Sequence, residues 1–263
     1  MVISHRHRLV FLHCRKAAGS SITNAITPWL GPDDIQVGNW SDAVRSGNHL
    51  NKKAVQTLAM SPAAWRAMVR AWWKSKGVQG QRGCWPDAID SAVTRVYRRR
   101  LGGRAAHATA ADIRSHYPFC FDNYFKFCVV RNPWDHAVSD YFWRLNYRDT
   151  NVGFKEFLRR KLDPERPDPE RLVVRPGTNW SIYTIGDEVA VDSVLRYETL
   201  QEDLKRVGRR FGIELRLDQV PQSKSGLRKR AAGADLYDDE CIELVSTIYR
   251  REIERFAYSN PYK

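Results

Sequence analysis

The sequence predicts an α/β domain in which helices flank a central parallel sheet. Short apolar runs alternate with longer segments whose apolar residues recur at helical spacing, a pattern typical of parallel βαβ units. The chain has 263 residues, of which 43% are hydrophobic, so it can bury one sizeable core. We therefore expect a single domain over residues 1–263, with a large insertion at about residues 45–104.

Three short apolar runs are predicted as strands, and each is followed by a predicted helix. The predicted strands cover residues 9–13, 125–130 and 193–197. The helices that follow them begin near residues 20, 133 and 200. A last helix is predicted over residues 238–256. Asn132 is placed to cap the second of these helices. Thr199 and Glu202 form a capping-box pattern for the third, and Gly212 ends it.

Positive charge is concentrated in the segment from Arg45 to Arg104. The whole chain has 43 Lys and Arg against 30 Asp and Glu, a net charge of +13. Within the segment, 13 basic residues are balanced only by Asp87 and Asp90, which leaves +11, and four of the nine tryptophans also lie there. This excess predicts an anionic ligand, partner or surface.

A helix is predicted inside this segment, with Ser61 as its N-cap, Pro62 at its first position and Gly77 as its stop. Its notable side chains are Trp65, Arg66, Arg70, Trp72, Trp73 and Lys74. One interpretation is a helix packed by its tryptophans, with a solvated basic face. A second is an acceptor site with aromatic platforms for a sugar, and a third is an interfacial helix on an anionic membrane. Nucleic-acid binding fits the composition, but no nucleic-acid module accompanies it.

Several classes of protein are disfavoured by what the sequence lacks. No apolar run approaches the roughly 20 residues of a membrane-spanning helix, and the first run is too short for a secretory signal. The five cysteines contain no C-x-x-C pair, so a disulfide scaffold or a zinc ribbon is disfavoured. We expect a cytoplasmic protein that binds no metal. Peripheral association with a membrane is the alternative for its location.

The first motif, HCRKAAGSS over residues 13–21, joins the first strand to its helix. Backbone N–H groups at a helix start, together with the helix dipole, bind phosphate-like groups. Lys16 adds a mobile positive charge, and Gly19 permits close approach of a ligand. The alternative is an ordinary turn with a surface lysine. Because no G-K dipeptide occurs, a kinase or GTPase with a Walker A loop is disfavoured.

The second motif, VRNPWDHAVSDY over residues 130–141, follows the second strand. Arg131 lies at the carboxyl end of that strand, where open α/β sheets bind their ligands. Ser139 lies eight residues further on, so the two side chains could hold one phosphate. The alternative is an ion pair between Arg131 and Asp135, with the serine facing solvent.

Together the two motifs resemble the donor-binding signatures of sulfotransferases that use 3′-phosphoadenosine 5′-phosphosulfate (PAPS). The nearest resemblance is to carbohydrate sulfotransferases and their bacterial relatives. His13 to Ser21 follows the frame H-I-P-K-T-A-G-T-S, and Val130 to Tyr141 follows V-R-N-P-x-D-R-x-V-S-x-Y. Arg15, Ala17 and His136 depart from the usual proline, threonine and arginine. The resemblance implies a P-loop-like three-layer fold and a metal-free reaction.

The resemblance also implies roles for individual residues. The donor would be bound by Arg15, Lys16, Ala17, Ala18, Gly19, Ser20 and Ser21, with Arg131 and Ser139 on its 3′-phosphate. Lys16 would neutralise charge on the leaving oxygen, and His107 would be the general base that accepts the proton of the acceptor hydroxyl. His136 and His13 are the alternative bases. We expect the acceptor to be a saccharide or a glycolipid, with a peptide tyrosine or a small phenol as the alternatives. A nucleic-acid or anionic-polymer binding protein on a nucleotide-binding fold is the alternative function.

Overall fold

A computed structural model of the chain describes residues 1–76, 85–175, 177–217 and 234–262. The strands are β1 (Val2–Ser4), β2 (Leu9–Leu12), β3 (Ile35–Gln36), β4 (Phe125–Val130), β5 (Thr184–Ile185), β6 (Glu188–Val189) and β7 (Ser193–Arg196). The helices are α1 (Gly19–Ile26), α2 (Trp40–Arg45), α3 (Lys52–Ala59), α4 (Pro62–Lys76), α5 (Trp85–Leu101), α6 (Ala110–His116), α7 (Pro118–Asn123), α8 (Pro133–Leu145), α9 (Phe154–Leu162), α10 (Trp180–Tyr183), α11 (Leu200–Phe211), α12 (Asp239–Ile248) and α13 (Arg250–Phe256). The predicted α/β class, a central sheet flanked by helices, is confirmed.

The chain divides into two compact units. The first is Met1–Val129 with Ser181–Pro221, and the second is Val130–Trp180 with Gln222–Lys263. The first unit contains a five-stranded sheet in the order β3-β1-β2-β4-β7 and a separate hairpin of β5 and β6. The second unit is built from helices, chiefly α8, α9, α12 and α13.

The main sheet is mixed, whereas the sequence predicted a parallel one. β2 and β4 pair in parallel, with Leu12 opposite Cys128, so both strands end at the same edge of the sheet. β1 pairs antiparallel with both β2 and β3. The connection between β1 and β2 has only four residues, and parallel neighbours need a crossover of a dozen or more. That short turn therefore imposes the antiparallel edge.

Burial of the apolar runs holds the sheet in the first unit. All four residues of β2 are fully buried, and the Phe11 and Phe127 rings on the paired strands lie 5.0 Å apart. Burying one such side chain contributes about 1.5–3 kcal/mol. Trp40, 1% exposed, donates from its indole Nε1 to the carbonyl oxygen of Gln36 at 3.0 Å, so it ties α2 to the end of β3.

Most of the predicted helix boundaries are confirmed, with two exceptions. Asn132 caps α8, and its Oδ1 accepts the N–H of Trp134 at 3.1 Å. The capping box of Thr199 with Glu202 is wrong, because the Thr199 hydroxyl donates instead to the Asp203 carboxylate at 3.0 Å. The predicted last helix is broken into α12 and α13 at Tyr249.

The basic segment folds largely as helices, with α4 and α5 in contact along their lengths. α4 begins at Pro62 as predicted, and the Ser61 hydroxyl accepts the N–H of Ala64 at 3.2 Å. The interpretation in which tryptophans pack this helix is wrong for Trp65 and Trp73, which are 53% and 64% exposed. Gly77 and the side chains of Trp72 and Lys74 lie outside the described residues.

Over the residues that the structure describes, no helix combines the length and the hydropathy that crossing a membrane requires.

Candidate active site

The turn between β2 and α1 has a strained backbone. Lys16 and Ala18 both have φ of +58°, in the left-handed region that residues with a Cβ rarely adopt. Each such residue costs about 1–2 kcal/mol, and strain of this kind concentrates at functional sites. Turns that contain left-handed residues gather backbone N–H groups into a concavity that binds anions.

The N-terminus of α1 has no cap from a side chain. Ala18 is the N-cap residue, and its side chain has no oxygen to accept a hydrogen bond from the first turn. The first amides of any helix have no acceptor within the helix itself, and the helix dipole adds partial positive charge there. Gly19, Ser20 and Ser21 form this first turn, so the predicted motif presents its amides where an anion can accept them.

Gly19 is required by the histidine at the start of the turn. A Cβ added at Gly19 would lie 1.8 Å from His13 Cδ2 and 2.0 Å from His13 Nε2. The sequence suggested that this glycine admits a ligand. The structure gives a different reason, because the His13 ring already occupies the space in which a side chain would stand.

His107 lies beside the same turn. It ends a 3-10 turn, Ala105–His107, and its Nδ1 donates to the carbonyl oxygen of His13 at 2.8 Å. The centroids of the His13 and His107 rings are 4.6 Å apart, in an edge-to-face arrangement. The fold therefore brings together the lysine-containing turn and the histidine predicted to be the base, although 94 residues separate His107 from His13.

Burial of His107 lowers its pKa to about 4, against an ordinary value of 6.5, and the hydrogen bond to His13 opposes this only in part. At neutral pH the ring is uncharged, and because Nδ1 donates its proton, Nε2 keeps its lone pair. His107 can accept a proton without first having to lose one.

The second motif begins at Val130, the last residue of β4. Arg131 and Ser139 are both half-buried, and Ser139 lies in the middle of α8. The Asp135 carboxylate accepts a hydrogen bond from the Tyr262 hydroxyl at 2.6 Å. Asn132 donates through its side-chain amide to the carbonyl oxygen of Ser259 at 2.9 Å, which fixes the start of α8 against the C-terminal segment.

His136 is held in a buried hydrogen-bonded network on the same helix. It is 3% exposed, its Nδ1 lies 2.9 Å from the Tyr249 hydroxyl, and its Nε2 lies 3.2 Å from the Asn179 amide nitrogen. Both ring nitrogens are thus engaged by protein groups, which favours a structural role over the alternative role as a base. Sequence reasoning missed Tyr249 and Asn179, because no motif spacing links them to His136.

A buried ion pair lies one turn further along α8. Lys161 Nζ contacts Asp140 Oδ2 at 2.8 Å, and the side chains are 1% and 2% exposed. The ammonium also lies over the Phe157 and Tyr249 rings, at 5.4 and 5.3 Å from their centroids. Sequence reasoning missed this pair as well, since a lysine in the basic last turn of α9 resembles a surface residue.

A family model described as the sulfotransferase family matches residues 1–259. The chain belongs to this sulfotransferase family. The matched range includes both motifs and His107, and it also includes the basic segment from Arg45 to Arg104. The protein is therefore a sulfotransferase, an enzyme that transfers a sulfuryl group.

One relative of this sulfotransferase is an uncharacterized protein of Archaeoglobus fulgidus. The two are 31% identical over 105 residues, which make up 37% of this chain and 76% of the relative. No solved structure matches the chain. In the described parts of the chain, no three His, Cys, Asp or Glu side chains are grouped closely enough to hold a metal ion.

Proposed function

We propose that this sulfotransferase takes its sulfuryl group from PAPS and passes it to a hydroxyl of a saccharide or glycolipid. The observation that carries the proposal is the turn before α1, where two left-handed residues precede a helix without a side-chain cap. Such a backbone suits the 5′-phosphosulfate, which offers several anionic oxygens to the amides. The acceptor class rests on the resemblance to carbohydrate sulfotransferases.

The reaction breaks the S–O bond to the bridging oxygen of the donor and forms an S–O bond to the acceptor oxygen. The proton of the acceptor hydroxyl goes to Nε2 of His107, and the nucleotide leaves as 3′-phosphoadenosine 5′-phosphate (PAP). Lys16 stabilises the negative charge that grows on the bridging oxygen. We assign Arg131 and Ser139 to the 3′-phosphate, since arginine offers paired donors in a geometry that matches phosphate.

Thermal stabilisation by PAP, compared with AMP, tests the donor. A ligand at 100 times its dissociation constant stabilises the folded state by about 2.7 kcal/mol, a shift of roughly 5–10 °C for a chain of this size. We expect that shift with PAP and a much smaller one with AMP at the same concentration. Equal shifts would contradict a site for the 3′-phosphate.

Substitution of Arg131 refines that test. Charge-assisted hydrogen bonds contribute about 1.5–3 kcal/mol, so Arg131→Ala should weaken PAP binding about 10- to 100-fold while barely changing AMP binding. Arg148→Ala, which removes an exposed arginine just after α8, is the matched control and should leave both affinities unchanged.

Substitution of Lys16 tests its place at the leaving oxygen. Lys16→Ala should lower turnover about 10²–10³-fold, in line with the loss of one charge-stabilising group, while the melting temperature stays within a few degrees. Lys205→Ala removes an exposed lysine of α11 and serves as the control. A Lys16→Ala enzyme with normal turnover would remove this residue from the reaction.

The pH dependence of kcat/KM tests His107 as the base. Its pKa of about 4 predicts a flat profile between about pH 5.5 and 7.5, where an unshifted histidine would give an acid limb near 6.5. His107→Ala should lower kcat/KM about 10²–10⁴-fold, and His116→Ala, at an exposed histidine of α6, should not. An acid limb near 6.5 that persists in His107→Ala would assign the base elsewhere.

A further inference from the structure

The helix α4 packs on its neighbour through small side chains. Ala64 and Ala67 of α4 and Ala92 of α5 are buried together, at 0%, 8% and 0% exposure. Partly buried Met68 and Val96 complete the contact. A core-facing amphipathic helix ordinarily buries its largest apolar residues. In α4 two alanines face inward, whereas Trp65, Val69 and Trp73 remain at least half exposed.

Three large apolar residues of α4 form an exposed stripe, which we call the tryptophan stripe: Trp65, Val69 and Trp73. They are 53%, 50% and 64% exposed and follow one another at four-residue spacing, so they share one face of the helix. Trp85, at the start of α5, is 52% exposed, and Met60, just before α4, is 83% exposed. A run of exposed large apolar residues on one element marks an interaction surface.

Positive charge lies directly beside this stripe. Arg66 and Arg70 are exposed and each follows a stripe residue by one position, which places them about 100° further around the helix. Two arginines next to exposed tryptophans make a surface that is apolar along one line and cationic along the next. The +11 charge of residues 45–104 extends this character well beyond the helix.

We propose that the tryptophan stripe, with Arg66 and Arg70, docks this sulfotransferase on an anionic lipid bilayer. Tryptophan inserts at the boundary between headgroups and acyl chains, and neighbouring arginines bind anionic headgroups. The 15 residues of α4 form a rod about 22 Å long that can lie in the plane of the interface. The charge beside the stripe is what selects an anionic partner over a neutral one.

The composition of the stripe favours lipid over nucleic acid. Single-stranded nucleic acid stacks its bases on aromatic side chains, and every platform in such a site has a π-face. Val69 stands between the two tryptophans in the middle of the stripe and has no π-face. An aliphatic side chain at this position gains instead from transfer into acyl chains. We therefore propose lipid as the partner, and binding to nucleic acid is one of the results that the test can return.

Co-sedimentation with large unilamellar vesicles tests the proposal on the full chain. We expect binding to vesicles of phosphatidylcholine with 30% phosphatidylglycerol and at least tenfold weaker binding to pure phosphatidylcholine. Each basic residue near an anionic surface contributes a factor of about 5, so the double charge reversal Arg66→Glu with Arg70→Glu should weaken binding at least 25-fold. Trp65→Ala with Trp73→Ala should weaken it tenfold or more.

Matched controls separate this surface from general electrostatics. Lys205→Glu with Arg209→Glu makes the same change in net charge at the same spacing on an exposed face of α11. Phe119→Ala removes another exposed aromatic ring, 66% exposed on α7. Both controls should bind vesicles within twofold of the wild type, and all four variants should keep its melting temperature within about 3 °C.

Three results would overturn the proposal. Equal weakening by the α11 control would show that net charge alone drives binding. Unchanged binding after loss of both tryptophans would remove the stripe from the contact. Tighter binding to a 20-nucleotide single strand than to anionic vesicles, with the same dependence on Trp65 and Trp73, would assign the surface to nucleic acid. None of these measurements depends on sulfuryl transfer, so the donor proposal and this one can fail separately.

Discussion

Replacement of Gly19 by alanine probes the contact on which the turn is built. The added Cβ would lie 1.8 Å from His13 Cδ2, while two carbon atoms in contact stand about 3.5–4 Å apart, so the ring must move by well over 1 Å. The ring has little room to do so. It is 6% exposed, stacks on Phe11 at 5.9 Å between centroids and touches His107 with its edge.

Forcing an extra methyl group into a packed site costs about 1–3 kcal/mol. For a chain of this size we expect the melting temperature of Gly19→Ala to fall by about 2–12 °C. Circular dichroism melts and urea unfolding measure the loss. Gly103→Ala is the matched control, because its Cβ would meet nothing within 4 Å, and it should be neutral or slightly stabilising.

A double-mutant cycle identifies His13 as the cause. In a His13→Ala background the obstructing ring is absent, so Gly19→Ala should cost less than about 0.5 kcal/mol there. The coupling free energy between the two positions should therefore be at least about 0.5 kcal/mol. If Gly19→Ala destabilises both backgrounds equally, the contact with His13 does not explain this glycine and the reasoning fails.

Three further predictions concern strain, a buried charge and pH. Ala18→Gly relieves the left-handed alanine and should stabilise the fold by about 0.5–1 kcal/mol in urea unfolding, whereas a loss of stability would show that the turn is unstrained. Asp140→Asn removes the counter-charge of the buried Lys161, and also the carboxylate that Arg144 Nε contacts at 3.6 Å, so it should cost about 3–5 kcal/mol. The volume-matched pair Asp140→Leu with Lys161→Met should recover the part of that loss that Lys161 causes, and no recovery would argue against this ion pair as a cause. Burial raises the pKa of Glu252 from 4.5 to about 7. As the pH rises, this carboxyl group therefore loses its proton in the unfolded chain before it does so in the folded one. The free energy of unfolding should fall by about 3 kcal/mol from pH 4.5 to 7. Glu252→Gln should flatten that slope in urea titrations, and an unchanged slope would assign it to other groups.

The parts of the fold with local signals could be predicted from the sequence. β4 is found at the predicted residues, and α8 begins after Asn132 because an amide oxygen in that position caps a helix whatever surrounds it. The mixed sheet could not be predicted in this way. β1 has only three residues, too few to show a period, and its antiparallel pairing follows from a turn whose residues carry no strong turn signature.

The orientation of α4 shows why periodicity alone was insufficient. Its tryptophans recur at helical spacing, which establishes a face but does not say whether that face is buried or exposed. The alanines opposite them have the same period, and close contact with α5 selects the smaller side chains. The lowered pKa of His107 could likewise not be predicted from the sequence, because it depends on burial by residues that are distant along the chain.

The setting of His136 constrains how this sequence can change. The motif that residues 130–141 resemble often has arginine here, yet arginine brings five N–H donors and no acceptor. It would meet the amide donor of Asn179 and a Tyr249 ring that already lies under the Lys161 ammonium. We therefore expect a single step to the commoner residue to lower the stability of this unit. For the same reason, we expect substitutions at His136, Asn179 and Tyr249 to be coupled, although 43 and 113 residues separate Asn179 and Tyr249 from the histidine.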